Sequence, residues 1–330
     1  MGGFNHWHAP EDPDRPRLPY LPGFSVRISR HAPPSEGEQS GFQERPTLSE
    51  EYLETVTHSE AVVANPPVDG LEDSSSQAEL AITSSIAIGA ARGAQIVACT
   101  VTPLDGDSEP FEATAKIYDP LYYNFEHSMG YYPRDCVDEA DQDYAVETYA
   151  YEILEQTGYT GSSAPKYYGS WTFTLPIVFK GSSTSRPVRL ILMERINGVT
   201  IRDSRIQNTY SRAAGKDAFH YPEEYRLEVL ARAMDAHVQQ IKGGVDQSDF
   251  AGRNILLAPM QSEKIGGIFL PRIVLIDYNN ANVRQLSPEQ LDRLPPNPTE
   301  IFWSQYLWED VAGWVPDTWK DGKVDQDVVI

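Results

Sequence analysis

Five polar residues lie beside apolar segments, and a cation, an amide and three carboxylates together could handle charged groups. Lys116 closes the strand-like run FEATAKIYDP, and Glu147 lies on the otherwise apolar face of a helix-like segment. Asp249 and Asn254 flank the turn after a second helix-like segment, and Asp277 ends a short apolar strand. Singly, each has a structural explanation, since a strand-end lysine extends to water and an aspartate after a helix often forms a turn. Their occurrence together favours a functional site.

In this order the five residues resemble the protein-kinase-like superfamily, over about residues 80 to 285. The likeness is strongest in SDFAGRNILL and IVLIDYNN. These segments are similar to the catalytic and metal loops of small atypical kinase-like proteins, particularly fungal ones, and of aminoglycoside- or choline-kinase-type phosphotransferases. The segments YAVETYAYEIL and LILMERINGVTI fit the small-lobe helix and the connecting hinge. The resemblance implies ATP and Mg²⁺ as cofactors.

The resemblance also implies a role for each of the five residues. Lys116 would contact the α- and β-phosphates of ATP, and Glu147 would hold Lys116 by an ion pair. Asp249 would accept the proton of the attacking hydroxyl or orient that hydroxyl. Asn254 and Asp277 would coordinate Mg²⁺, a hard cation that favours oxygen ligands. The implied activity is ATP- and Mg²⁺-dependent phosphoryl transfer, to a hydroxyl of a small molecule rather than of a protein.

Two further segments would hold the nucleotide. The adenine would lie against the hinge near Met193, Glu194 and Ile196, where backbone groups can hydrogen-bond the base. The phosphates would meet the loop in IGAARGAQIV, whose glycines are Gly89 and Gly93. Only Gly89 aligns with the pattern G-x-G-x-x-G-x-V, and alanines occupy the other two glycine positions. Such a loop is weak support when taken alone.

The catalytic loop departs from that of many protein kinases. Gln247 and Ser248 stand where those kinases have His-Arg, so control by a phosphorylated activation loop is not expected. Asp246 competes with Asp249 for the role of base, and the spacing to the following asparagine favours Asp249. Arg253 has two open explanations, either contact with a phosphate or substrate, or a salt bridge that shapes the loop.

Other functions stay open on the same residues. A pseudokinase-like nucleotide-binding or regulatory module is consistent with the incomplete glycine-rich loop and with the altered residues before Asp249. Nucleotidyl transfer on the same fold is a third hypothesis. Only 53 residues follow Asp277 in the 330-residue sequence, so a full large lobe with a peptide-docking platform is not expected.

Composition limits the partners. The formal net charge of −21 argues against a nucleic-acid backbone or an anionic membrane surface, because both need basic patches. Cys99 and Cys136 are the two cysteines, too few for a disulfide framework, and they predict a reducing compartment. The first residues do not resemble a signal peptide, and no apolar run reaches the roughly 18 residues of a membrane span. The sequence therefore predicts a soluble cytoplasmic protein.

The elements that must position these residues predict an α+β fold of two unequal lobes. Strand-like runs come first, one helix is inserted among them, and the long amphipathic segment EEYRLEVLARAMDAHVQQI follows. The resemblance implies a two-lobed kinase-like fold with an antiparallel-sheet small lobe at 76–195 and a truncated, mainly helical large lobe at 196–330. The Pro-, Glu- and Ser-rich residues 1–75 predict a poorly ordered leader, which could bind a protein partner.

Overall fold

The computed structural model describes most of the chain. The described residues are 7–34, 46–90, 92–106, 108–127, 132–207, 215–261, 263–297, 301–302, 311 and 313–316. They divide into two units. The first contains residues 1–149 and 167–195, and the second contains 150–166 and 196–330. The boundary at 195/196 coincides with the expected lobe boundary, whereas residues 150–166 group with the second unit.

A closed antiparallel barrel of six strands forms the first unit. The strands are β1 (Ser25–Ala32), β2 (Leu71–Ala87), β3 (Gln95–Pro103), β4 (Phe111–Tyr118), β5 (Tyr167–Phe179) and β6 (Ser182–Glu194). Their order around the barrel is β1-β2-β3-β4-β6-β5, and β1 closes it by pairing Ser29 with Thr172 and Arg30 with Trp171. The predicted antiparallel sheet is thus present. It has six strands, one more than the five strand-like runs of the sequence.

Alternate residues of the strands fill the barrel with apolar side chains. The buried cluster includes Val97, Cys99 and Val101 of β3, Ala113, Ala115 and Ile117 of β4, and Val188, Leu190 and Leu192 of β6. Because neighbouring residues of a strand point to opposite faces, the intervening residues of β4 face outward from this core. Lys116 is one of them.

The predicted leader contains regular structure. Besides β1, it contains helix α1 (Glu50–Leu53) and helix α2 (His58–Ala64). Tyr20 is completely buried in the barrel core, and its hydroxyl donates to Asp119 Oδ2 at 2.5 Å. Composition favoured disorder here because apolar residues are sparse. The few that occur are anchored by contacts with residues far along the chain.

The helix predicted from YAVETYAYEIL is α3 (Cys136–Gln156), which runs past position 149, where the units divide. A short 3₁₀ turn, Pro120–Tyr122, precedes it. Cys99 and Cys136 are free and buried.

The second unit contains the long predicted helix, α4 (Glu223–Lys242), and a short helix α5 (Pro288–Leu291). Its strands are two to four residues long. They are β7 (Val199–Thr200), β8 (Ile206–Gln207), β9 (Lys216–Asp217), β10 (Val245–Asp246), β11 (Ile255–Ala258), β12 (Lys264–Ile265), β13 (Ile268–Phe269), β14 (Arg272–Leu275) and β15 (Asn282–Val283). The described residues of this unit therefore carry more short strand pairs than the expected mainly helical lobe.

Three of these strands, in the order β14-β11-β7, form one sheet, and β10 pairs with β15. The β10–β15 pairing flanks the segment from Asp249 to Asp277, and the β11–β14 pairing lies inside that segment. The sequence also predicts a helix in TEIFWSQYLWEDVAGW, most of which lies outside the described residues. Among the helices that the structure describes, none is both long and apolar enough to cross a membrane.

Candidate functional site

Lys116 and Glu147 form a buried ion pair within the first unit. Lys116 lies on β4, which β3 and β6 flank, so Lys116 is paired with Ile96 on one side and Ile191 on the other. Its Nζ contacts Glu147 Oε2 from helix α3. The Lys116 residue is 6% exposed and Glu147 is 0% exposed. The pair that the resemblance implied is therefore present, and it is almost completely removed from water.

Tyr118 is a third member of this cluster that the sequence analysis missed. Its hydroxyl donates to the same oxygen, Glu147 Oε2, at 2.6 Å. Burial raises the pKa of Tyr118 well above its usual value, and the neighbouring Glu147 carboxylate raises it further. Tyr118 therefore stays a hydrogen-bond donor. The available signal was the spacing, because residues two apart on a strand share a face with Lys116.

The glycine-containing loop between β2 and β3 is held by Gln95, which is fully buried. The Gly89 N–H donates to Gln95 Oε1 at 2.8 Å. In return, Gln95 Nε2 donates to the carbonyls of Gly89, at 3.0 Å, and Gly93, at 2.7 Å. Gly93 has φ +87°, which requires glycine or a strained residue, and its N–H donates to the Tyr122 carbonyl at 3.3 Å. The amides of both candidate glycines are thus engaged inside the protein.

The predicted hinge begins with the last two residues of β6. Met193 is buried and pairs with Thr114 of β4, and Glu194 pairs with Ala113. Ile196 begins the longer stretch of the second unit, 196–330, and residues 195–198 have no regular secondary structure.

The catalytic loop places Asp249 between two donors in the second unit. Arg253 Nη2 lies 2.7 Å from both carboxylate oxygens of Asp249. Asn254 Nδ2 donates to the Asp249 backbone oxygen at 3.0 Å and to Oδ2 at 2.8 Å. Of the two explanations for Arg253, the structure has the salt bridge that shapes the loop. Two charge-assisted hydrogen-bond donors orient the carboxylate of the candidate base.

Asp246, the competing carboxylate, has a different environment. Its carboxylate accepts from the Ser248 N–H at 3.1 Å and lies 3.7 Å from His237 Nε2. Burial lowers the pKa of His237 to about 4, although Asp246 opposes this shift. His237 is therefore neutral near pH 7, and Asp246 serves the turn. Ser248 has φ +59°, so the chain reverses sharply just before Asp249.

The sheet register brings the two candidate metal ligands close along the backbone. Strands β11 and β14 pair Ile255 with Leu275, and the Ile276 N–H donates to the Asn254 carbonyl at 3.0 Å. Asn254 thus lies opposite the residue that precedes Asp277. Asn254 is 4% exposed, and because its Nδ2 donates to Asp249, its side-chain oxygen is the atom left to bind a metal.

Neighbouring residues fix the turn that carries Asp277, which has φ +69°. Gln247, in place of the usual histidine, is fully buried, and its Nε2 donates to the Ile276 carbonyl. The Tyr278 hydroxyl donates to Gln240 Oε1 at 3.0 Å. Within the described ranges no three His, Cys, Asp or Glu residues could together hold a metal ion. A Mg²⁺ site does not require three, since Mg²⁺ is usually bound by one or two carboxylates, phosphates and water.

Comparison with known proteins finds similar chains among solved structures. No model of a protein family matches the chain, and no curated protein sequence matches it. Among solved structures, the chain is similar to the BubR1 kinase domain, with 11% identity and a TM-score of 0.38, over 68% of this chain and 53% of that one. It is also similar to WaaP in complex with acyl carrier protein, with 16% identity and a TM-score of 0.31, over 64% of this chain and 66% of that one. The chain thus spans about half the length of the BubR1 chain.

Proposed function

We propose that the chain is an ATP- and Mg²⁺-dependent phosphotransferase of the protein-kinase-like superfamily that acts on a small-molecule hydroxyl. The observation that carries the proposal is the buried pair of Lys116 and Glu147. Two charges lose their hydration when they are buried, and an apolar pair of similar volume is often equally stable or more stable there. A retained buried pair of this kind supports a functional role, and positioning a cation for nucleotide phosphates is the role that the motif predicts.

Asp249 is the proposed base. Its carboxylate would accept the proton of the acceptor hydroxyl, or orient the hydroxyl oxygen toward the γ-phosphorus. Arg253 and Asn254 hold that carboxylate at 2.7 and 2.8 Å. Among the described residues, the other carboxylate oxygen, Oδ1, accepts a hydrogen bond from Arg253 alone. This contact is exposed, and an incoming hydroxyl can replace it. Asn254 and Asp277 would hold Mg²⁺, which neutralises negative charge on the phosphates when bound.

A small-molecule acceptor is favoured over a protein. Ser248 takes the place of the arginine that commonly receives a phosphorylated activation loop in protein kinases. Strand β15 pairs with β10 directly after the turn at Asp277, at Asn282 opposite Asp246. The chain thus returns to β10 within a few residues of Asp277, and so short a connection suits a compact acceptor site. The segments that resemble aminoglycoside- and choline-kinase-type enzymes point to the same class.

The test combines nucleotide binding with turnover. Thermal shift with ATP and Mg²⁺ should stabilise the wild type, by about 2.7 kcal/mol at 100 times the dissociation constant. A library of hydroxyl-bearing metabolites, assayed with labelled ATP, should then identify an acceptor. Asp249→Ala should abolish turnover and retain ATP binding, whereas Lys116→Met should weaken ATP binding itself. Equal turnover in the wild type and Asp249→Ala would rule out the proposed base.

Asp246→Asn is the matched control, because Asp246 is a neighbouring carboxylate in the same loop and lies outside the proposed machinery. It should keep most of the turnover of the wild type. Loss of turnover in Asp246→Asn together with normal turnover in Asp249→Ala would reassign the base.

A second candidate, a pseudokinase-like nucleotide-binding or regulatory module, is favoured by one observation. The backbone N–H groups of Gly89 and Gly93 are already bonded, to Gln95 and to the Tyr122 carbonyl. They would have to be released before they could bind phosphate. This module would bind ATP without turnover against any acceptor. Nucleotidyl transfer is distinguished by product mass, because it adds a nucleotide rather than a phosphoryl group to the acceptor.

A further inference from the structure

A cavity of about 460 Å³ lies on the outer face of the barrel, within the first unit. It is lined by alternate residues of β1 and β6, by residues 172–174 of β5, by Glu72 and Gln77 of β2, and by the two residues before β2. Ile28 of β1 and Val188 of β6 point to the opposite side, into the core. None of the residues proposed for phosphoryl transfer lines this cavity. Its volume is within the range of about 300 to 1,000 Å³ that is typical of small-molecule sites.

Arg189 forms a buried, positively charged wall of the cavity. It is 6% exposed. Its Nη1 donates to Thr172 Oγ1 at 2.6 Å, and its Nη2 donates to the Val68 carbonyl at 3.3 Å. Among the described residues, no carboxylate lies within ion-pair distance of Arg189. A guanidinium carries five N–H donors and stays charged in proteins, so donors remain for an anion. A buried charge without a paired ion is costly, and a bound anion would remove that cost.

His31 adds a buried ring nitrogen without a hydrogen-bond partner. It is 4% exposed, and its Nδ1 lies 2.7 Å from the Tyr144 hydroxyl. Its other ring nitrogen, Nε2, is buried without a hydrogen-bond partner. Burial lowers the pKa of His31 to about 3, and Arg189 lowers it further, so the ring is neutral near pH 7. The Tyr144 hydroxyl also lies 3.3 Å from the His31 carbonyl oxygen. In the tautomer whose Nδ1 accepts from Tyr144, the neutral ring presents Nε2–H as a donor.

The opening of the cavity carries charges of both signs. Arg27, Asp69 and Glu72 line it and are exposed. With Arg189, the lining therefore has two cations and two carboxylates, whose charges cancel. A lining of this kind matches a ligand that has both charges, since a ligand with one charge would leave like charges facing each other.

We infer that this cavity binds a small zwitterion of the amino-acid class, with its carboxylate on Arg189 and His31 and its ammonium toward Asp69 and Glu72. The Arg189 guanidinium can bind a carboxylate through two N–H groups, which gives direction as well as charge. Gly70 lies tightly against β1, because a Cβ there would lie 2.1 Å from the Ala32 carbonyl oxygen and 2.6 Å from His31 Nε2. This inference is independent of the proposed phosphotransferase activity.

The experiment uses the full chain and the twenty common amino acids as probes, by thermal shift and then by titration calorimetry. At least one amino acid should bind with a dissociation constant below about 10 mM. For that amino acid, the amine without its carboxylate and the acid without its ammonium should each bind at least about ten-fold more weakly. Inorganic phosphate binding as tightly as the best amino acid would overturn the inference.

Variants separate this site from others on the chain. Arg189→Gln and Glu72→Gln should each weaken binding at least about ten-fold. Glu72 is exposed, so Glu72→Gln keeps the proposal testable if Arg189→Gln does not fold. Glu51→Gln, an exposed change on α1 away from the cavity lining, should bind like the wild type. Binding that is unchanged in both cavity variants, or no binding by any amino acid, would refute the site.

Discussion

Lys116 and Glu147 are costly residues to bury, and their neighbours determine how much of that cost is offset. Glu147 Oε2 accepts from Lys116 and from the Tyr118 hydroxyl. The sequence predicted the two charged residues from their type and order. It did not predict the tyrosine, because a contact across 29 residues depends on how α3 packs on β4. Residue types thus indicate candidate functional groups, and only packing determines what surrounds them.

Lys116→Met should leave the Glu147 carboxylate buried with no cation. Removing one partner of a buried pair costs about 3 to 5 kcal/mol, because the remaining charge is uncompensated. Urea unfolding followed by circular dichroism should give this loss of stability. The double variant Lys116→Met/Glu147→Gln should regain much of it, since glutamine is neutral and can still accept from Tyr118. Wild-type stability in the single variant would contradict a buried pair.

His58 should make the protein less stable in acid. Its Nε2 donates to the Pro120 carbonyl at 2.9 Å, and its Nδ1 is buried without a partner. Burial is the main cause that lowers the pKa of His58 from 6.5 to about 3. The unfolded chain therefore takes up a proton below about pH 6.5 while the native His58 stays neutral. The stability linked to His58 is fully present above the unfolded pKa and is lost as the pH falls toward 3.

Between about pH 7.5 and about pH 5 this loss should amount to about 2 kcal/mol. The measurement is the difference in free energy of unfolding between the wild type and His58→Gln, at both pH values. The difference cancels the titration of carboxylates that the two proteins share. In acid, the wild type should lose stability relative to His58→Gln. A difference that does not change with pH would mean that His58 is accessible to protons in the folded state.

The turn between α4 and β10 precedes the predicted catalytic loop, and its conformation depends on Gly244. This residue has φ +100°, its N–H donates to the Ile241 carbonyl, and its own carbonyl accepts from the Arg284 N–H. A Cβ at this position would lie 2.2 Å from the Arg284 carbonyl oxygen. Glycine after a helix end is common because it adopts positive φ without strain. Here it also lets the strand that follows Asp277 approach the strand that precedes Asp249.

Gly244→Ala should therefore destabilise the second unit by more than the backbone strain alone. Positive φ costs an alanine about 1 to 2 kcal/mol, and the clash with Arg284 adds to that cost. Gly267→Ala is the control, because Gly267 has φ +82° and open space around its Cβ. Thermal unfolding should show a clearly larger decrease for Gly244→Ala. Equal decreases in the two variants would mean that the contact with Arg284 yields easily.

Helix α4 shows how far a sequence pattern reaches at the level of an element. The apolar periodicity predicted the helix, and the structure has it at Glu223–Lys242. The buried face, however, also includes Arg226, His237 and Gln240. Their burial depends on distant partners, such as the Trp314 carbonyl for Arg226 and the Ser163 carbonyl for Gln240. Hydropathy places polar residues on the solvent side, so these could not be predicted.

Over the whole chain, composition predicted less than local pattern. The low apolar content of residues 1–75 predicted disorder, yet β1 from this region closes the barrel. The cavity beside Arg189 was also missed, because residues 27, 31, 72 and 189 meet only when β1 lies between β2 and β5. The boundary near residue 195 was predictable because it follows a long apolar strand and lies in the hinge motif.

The net charge of −21 leads to a prediction for the whole molecule. Many like charges on a folded chain repel one another and destabilise the compact state. Salt screens exposed charges, with a Debye length that falls from about 30 Å at 0.01 M to about 8 Å at 0.15 M. Buried pairs such as Lys116 with Glu147 and Arg186 with Asp119 are screened much less. The melting temperature should therefore rise over this range of ionic strength.

Choline chloride should act like sodium chloride, because screening depends on ionic strength alone. A rise with sodium only would indicate specific cation binding, and a fall would mean that surface ion pairs outweigh the repulsion.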